Sequence, residues 1–199
     1  MTAYESAAER NVLLDLEFDR DVIEVAAQPF VVRLADDTEH RPDFAALLTD
    51  GRVVIIEVKD DSKARVAHEA ERGTGALRET LAVLGWTYLT LTPSPLMHQR
   101  NLRWLRGCRP QVDELAELTT PMLAAAEQFT TISMLAALAH PAISRPVLGR
   151  LLWDQQLSCD LDPALCDETS VWAPGESACV VGAMSEQRGS AARTARTAP

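Results

Sequence analysis

Lysine is nearly missing from this chain: of its 19 basic residues only Lys59 and Lys63 are lysines, and the rest are arginine. Positive charge is scarce overall, with a formal net charge of −10 at pH 7. Broad, partner-free affinity for nucleic acid usually shows as a basic footprint, and this balance excludes one over the whole surface. Also missing is any apolar run approaching the ~20 residues that span a bilayer, so no membrane partner is expected. The opening MTAYESAAER has no signal-peptide pattern, which leads us to expect a cytoplasmic protein. Cys108, Cys159, Cys166 and Cys179 lack the close pairing of a zinc site and read as reduced thiols. No internal repeat is evident. What remains is 47% hydrophobic and 24% charged, ordinary for a globular chain. Its 199 residues suffice for one domain and a small second one.

The periodicities predict an α-β-β-β-α-β order in the first part. Residues 4–17 place Val12, Leu13 and Leu16 on one helical stripe, with Glu9 on or beside it. DVIEVAAQPFVVRLAD reads as a strand region bent or edged at Pro29. HRPDFAALLTDGRVVIIEVKD reads as two strands joined at Thr49-Asp50-Gly51, a hairpin signal. Residues 62–84 read as helix broken near Gly73-Thr74-Gly75, GWTYLTLTP as a strand, and HQRNLRWLRG as a short basic helix. After Arg109-Pro110 the pattern turns helical over 111–156, with PMLAAAEQFTTISMLAALA and ISRPVLGRLLWDQQL as the main helices. Ser144 is the expected cap of the second, which puts Pro146 in its first turn. Short strand-like pieces follow at SCDLD and TSVWAP, so three helices and a small ribbon predict a winged-helix-type module. The expected division is therefore a domain over 1–109, a second over 110–182 and a disordered tail over 183–199.

The chemistry concentrates in RPDF and IIEVK. Val53-Val54-Ile55-Ile56 reads as a strand apolar on both faces, yet it runs on into Glu57-Val58-Lys59. Side chains at i and i+2 share a face, so Glu57 and Lys59 extend the row of Val53 and Ile55. Asp43 enters the preceding strand, and antiparallel pairing brings it to the same sheet end as Glu57. Two carboxylates gathered there repel unless a cation lies between them, and Mg²⁺ suits oxygen ligands while keeping several waters. A phosphate oxygen could replace one water and a bound water would become a better nucleophile. Lys59 could orient or deprotonate that water, or neutralise charge on the transition state. Arginine could not serve as the base, since it keeps its proton.

Pro42-Asp43 followed by Glu57-Val58-Lys59 matches the P-D…(D/E)-x-K signature of restriction-endonuclease-like nucleases. The ordered stretches ESAAERNVLLDLEFDRDV, AAQPF, RPDF and IIEVK resemble more specifically the catalytic domain of TnsA-type transposon endonucleases, over roughly residues 4–92. The family's catalytic helix carries a glutamate eight residues before the glutamate of its LE end, which selects Glu9, eight before Glu17, over Glu5. The resemblance thus implies a site of Glu9, Asp43, Glu57 and Lys59, with Glu9, Asp43 and Glu57 as ligands of Mg²⁺ or, in its place, Mn²⁺. It implies a restriction-endonuclease-like mixed sheet flanked by helices, and a winged-helix C-terminal domain. It also implies a DNA-associated bacterial endonuclease subunit that cuts the 5′ strand at transposon ends. Its expected partners are DNA, a DDE-type transposase subunit, and an AAA+ ATPase regulator docking on the C-terminal domain. Some relatives have glutamine at the position of Glu57, and some carry a longer segment before the catalytic helix.

Two other functions fit the same residues: a stand-alone restriction or repair nuclease, and a non-catalytic interaction module of nuclease fold. Lys63, Arg65, His68 and Arg72 read either as phosphate contacts or as a solvated face shared with Glu69 and Glu71. Arg100, Arg103 and Arg106, three apart with Trp104 among them, are a candidate DNA-facing stripe. Glu5 and Glu17 read as solvated helix residues, Gln28 as a group serving backbone at a bend, and His40 as a turn residue. Leu148, Leu152 and Trp153 read as core.

Overall fold

The computed structural model describes residues 6–33, 37–59, 75, 77–108 and 116–174. They divide into two compact units between Ser94 and Pro95. The first holds α1 (Ala7–Phe18), β1 (Val22–Ala27), β2 (Val32–Arg33), β3 (Glu39–His40), β4 (Phe44–Leu48), β5 (Val53–Val58), helical residues 77–83 (α2) and β6 (Thr87–Leu91). The second holds α3 (Leu96–Gly107), α4 (Ala116–Ala126), β7 (Thr130–Thr131), α5 (Ile132–Ala136), α6 (Pro141–Trp153), β8 (Ser158–Cys159) and β9 (Ser170–Trp172). The basic helix α3, expected in the first domain, therefore belongs to the second unit.

The first unit is α/β, built on a mixed four-stranded sheet in the order β1-β4-β5-β6. β1 and β5 flank β4 antiparallel, and β6 runs parallel to β5. Covering both faces explains the unbroken apolar run, for Val54, Ile55 and Ile56 are all buried. On one face Val54 and Ile56 pack with Phe44, Ala46, Leu48 and the Val12, Leu13 and Leu16 stripe of α1. On the other, Ile55 packs with Leu77 and Leu81 of α2 and with Tyr88, joined by the half-buried Phe30, Val32, Val53 and Trp86. Each fully buried leucine of this kind stabilises the fold by about 1.5–3 kcal/mol. At the start of α1, Ser6 accepts the Glu9 N–H at 3.1 Å; at its end Asp19 turns extended. The hairpin turn lies where Thr49-Asp50-Gly51 predicts it, and Gly51 takes the left-handed φ of 83° that its missing Cβ permits.

The second unit packs its helices with a small three-stranded sheet, β7-β9-β8. Leu148, Leu152 and Trp153 are buried as expected. Two local expectations fail. PMLAAAEQFTTISMLAALA is not one helix, because α4 ends at Ala126 and Thr130-Thr131 pairs with β9. Threonine, β-branched, suits a strand, and Thr131 then caps α5 by accepting the Met134 N–H. Nor does Ser144 cap α6, which starts at Pro141 behind His140, whose Nδ1 accepts the Ala142 N–H at 3.2 Å. Ser144 is instead buried, donating its hydroxyl to the Ala136 carbonyl at 2.6 Å, and Pro146 lies inside the helix. Asn101 of α3 donates to the Leu161 and Pro163 carbonyls and so anchors the segment between β8 and β9. Among the described residues no helix is long and apolar enough to cross a membrane.

Candidate functional site

The β4–β5 ladder pairs Phe44 with Ile56, Ala45 with Ile55, Ala46 with Val54 and Leu47 with Val53. Carried one step further, this register sets Asp43 opposite Glu57. The closing bond comes from the side chain: Asp43 Oδ2 accepts the Val58 N–H at 2.7 Å. Alternation assigns the face. Phe44 on β4 and Ile56 on β5 belong to the α1 side, so Asp43 and Glu57 turn to the opposite one. Lys59 continues β5, its N–H donating to the Leu91 carbonyl at 2.8 Å, and falls on the same face as Glu57. Asp43, Glu57 and Lys59 are therefore brought to one end of the β4–β5 ladder.

Three neighbours hold the pair in place. Gln28, at the bend after β1, has a φ of 46°, a left-handed value uncommon for a residue with a Cβ. Its N–H donates to the Asp43 carbonyl at 2.8 Å, and its side-chain oxygen accepts from Arg41 Nη1 at 3.3 Å. The bend is thus tied to Asp43 through the Gln28 backbone, while the Gln28 side chain meets Arg41. Pro42 is buried, fixing the entry to the strand. His40 meets Glu57, Nε2 to Oε2, at 3.0 Å.

Glu57 has about a quarter of its side chain exposed. Its carboxyl is held above the ordinary glutamate range, first by burial and then by the charge of Asp43, while His40 and Lys59 pull it back down. The same negative field reaches Tyr88, whose phenol is pushed up to about 12 mainly by burial and then by Glu57. A carboxyl whose ionisation is opposed by burial and by a facing acid is what a cation would relieve. The donor set fits Mg²⁺, which takes oxygen ligands and is commonly held by one or two carboxylates with waters completing its shell. Against known proteins, the chain matches no family model and no curated relative.

Glu9 does not complete the set. Among the described residues no three His, Cys, Asp or Glu side chains are grouped so as to hold a metal ion. Glu9 stands half-buried one turn before Leu13, on the helix whose Val12, Leu13 and Leu16 pack with Phe44 and Ile56. Ser6 and Glu9 also stand at the N-cap and third helical position of α1, the Ser-x-x-Glu spacing of a capping box. Lys63, Arg65 and Arg72, with Glu5, lie outside the described residues. Arg100, Arg103 and Arg106 are all exposed on α3, with Trp104 43% exposed among them. They form the expected stripe, carried by the second unit.

His40 is the residue that sequence reasoning passed over. Its nearness to Asp43 along the chain was visible, but its contact with Glu57 depends on a fold-back. Val32 pairs with His40 in a separate two-stranded ribbon, β2–β3, and Val32 and Phe30 pack against the Ile55 face of the main sheet. No periodicity in a two-residue strand reports that.

Proposed function

We propose that this chain is a metal-dependent DNA endonuclease, the TnsA-like subunit of a heteromeric transposase that cuts one strand, on the 5′ side, at transposon ends. The observation that carries the reading is the cross-strand pair Asp43–Glu57, followed on the same face by Lys59. Asp43 and Glu57 would hold Mg²⁺, or Mn²⁺ in its place, and the bound metal would supply Lewis-acid activation of a phosphodiester and its attacking water. Lys59 orients or deprotonates that water, or offsets charge gathering on the phosphate. The Val58 N–H keeps the Asp43 carboxylate aimed along the sheet end, and Gln28 holds the backbone beneath it. The first unit is read as a restriction-endonuclease-like core and the second as a winged-helix-type domain.

A net charge of −10 opposes a polyanion, since non-specific affinity comes from Lys and Arg neutralising phosphates. Arg100, Arg103 and Arg106 supply a local contact, while a DNA-binding transposase subunit supplies the rest and an AAA+ ATPase engages the second unit. The test is a nicking assay on transposon-end DNA with Mg²⁺, with and without a DDE-type transposase subunit. One-strand cutting should require the partner and vanish in Asp43→Ala and Lys59→Ala. Efficient cutting by the isolated chain would favour a stand-alone nuclease. A second reading, a non-catalytic interaction module, gains from the lack of a three-ligand group among the described residues, and cutting activity in any assembly would end it.

A further inference from the structure

We infer that His40 is a positioning residue for the Glu57 carboxylate, set there by the β2–β3 ribbon to ready one oxygen for a divalent cation; this rests on the metal-site reading above. An ionised carboxylate only accepts hydrogen bonds, so in the 3.0 Å contact His40 Nε2 carries the hydrogen and Glu57 Oε2 receives it. That engages one lone pair of Oε2 and, by fixing the plane of the carboxylate, sets where Oε1 points. Glu57 otherwise projects from the last turnings of a strand, where a three-torsion side chain has several rotamers to choose among. One directional bond from a ring that is itself fixed removes most of that choice.

The ring is fixed by its ribbon. His40 pairs with Val32, and Arg33 pairs with Glu39, whose side chains also bond at 3.0 Å. Phe30 and Val32 pack onto Ile55 and its neighbours, and Phe30 meets the Trp86 ring at 5.7 Å. The ribbon therefore packs on the Ile55 side of the sheet, the face of the row that contains Glu57, and brings His40 to that carboxylate. The side chains of His40 and Glu57 are 29% and 25% exposed, which is sheltered enough for the bond to outlast competition from water. Asp43 receives its matching support from backbone, through the Val58 N–H, and Glu57 receives its own from His40. Outer hydrogen bonds of this kind, when removed, commonly cost 10–100-fold in metal affinity.

The experiment is calorimetric titration of the full chain with Mn²⁺, comparing native protein with His40→Gln, His40→Asn and His40→Leu, each checked for a native melting curve. Glutamine places an amide N–H where Nε2 stood, and asparagine reaches only the position of Nδ1. We expect native and His40→Gln affinities within about threefold, and His40→Asn and His40→Leu weaker by ~10–100-fold. Should the leucine variant not fold, the polar asparagine variant carries the comparison. Equal affinity in all four proteins would overturn the role of His40 while leaving the metal site standing. Weakening of His40→Gln to the level of asparagine would also overturn it, since the N–H would then not be what matters. Absence of Mn²⁺ binding by the native chain would overturn both this inference and the metal-site reading beneath it.

Discussion

Replacing Asp43 by asparagine separates what this side chain does for the fold from what it does for a cation. Asparagine keeps an oxygen to accept the Val58 N–H, which Asp43 accepts at 2.7 Å, and deletes the charge. Two changes then oppose each other in the metal-free protein. A charge-assisted hydrogen bond becomes a neutral one, a loss of about 1 kcal/mol. Repulsion between facing carboxylates is relieved; at ~5 Å and an effective dielectric of ~20–60 it amounts to about 1–3 kcal/mol. The net change should lie between about zero and a gain of about 2 kcal/mol. With Mn²⁺ at about a hundred times its dissociation constant, the native protein gains ~2.7 kcal/mol and the variant should gain almost none. For a chain of this size each kcal/mol moves the midpoint by ~2–4 °C, so native protein should shift up by about 5–10 °C and Asp43→Asn should stay in place. Circular-dichroism melts of both proteins, with Mn²⁺ and with chelator, give the four midpoints. An equal Mn²⁺ shift in both would refute the assignment of Asp43 as a ligand. A metal-free loss above ~3 kcal/mol would show that Asp43 is chiefly a structural residue.

Glu9→Gln should leave the melting midpoint unchanged, because glutamine also serves a capping box, and should leave Mn²⁺ affinity unchanged because Glu9 is not grouped with the acid pair; a tenfold loss of affinity by calorimetry would place it back in the site. The phenol of Tyr88 should titrate about two pH units above a free tyrosine, at about 12, when followed by ultraviolet absorbance in a Tyr4→Phe background. Because its folded value is raised, the stability it contributes is complete below pH ~10 and is lost as pH rises towards 12. Tyr88→Phe should flatten that alkaline loss, and an unchanged slope would count against it.

Strands β4 and β5 and the turn between them were legible because burial on both faces leaves an unbroken apolar run, and Asp-Gly marks a turn. The face shared by Val53, Ile55 and Glu57 followed from strand alternation alone. Glu9 was a different matter. A helical stripe tells which side of α1 is buried, but not which face of the sheet it covers, so the reach of Glu9 toward Asp43 is not legible in it. His40 and Val32 lie on strands of two residues each, too short for any period to declare itself. Thr130-Thr131 was swallowed into a helix because the flanking apolar residues continue through it, and only pairing with the distant Val171 and Ser170 makes it a strand. Ser144 looked like a cap by composition, while the carbonyl it serves, Ala136, belongs to the preceding helix.

The ladder between β4 and β5 has a bearing on how such a chain can change over generations. Turns at the ends of hairpins are ordinarily where insertions and deletions are tolerated, since they touch little else. Here the turn at residues 49–52 sets the register by which Asp43 meets Glu57 at the far end of the ladder. A one-residue slip would carry an entire strand's side chains to the other face. It would bury a carboxylate among Phe44's neighbours and turn an apolar side chain toward Lys59. Lineages that keep the acid pair should therefore vary this turn in sequence and hold it constant in length, although no atom of it comes near the pair.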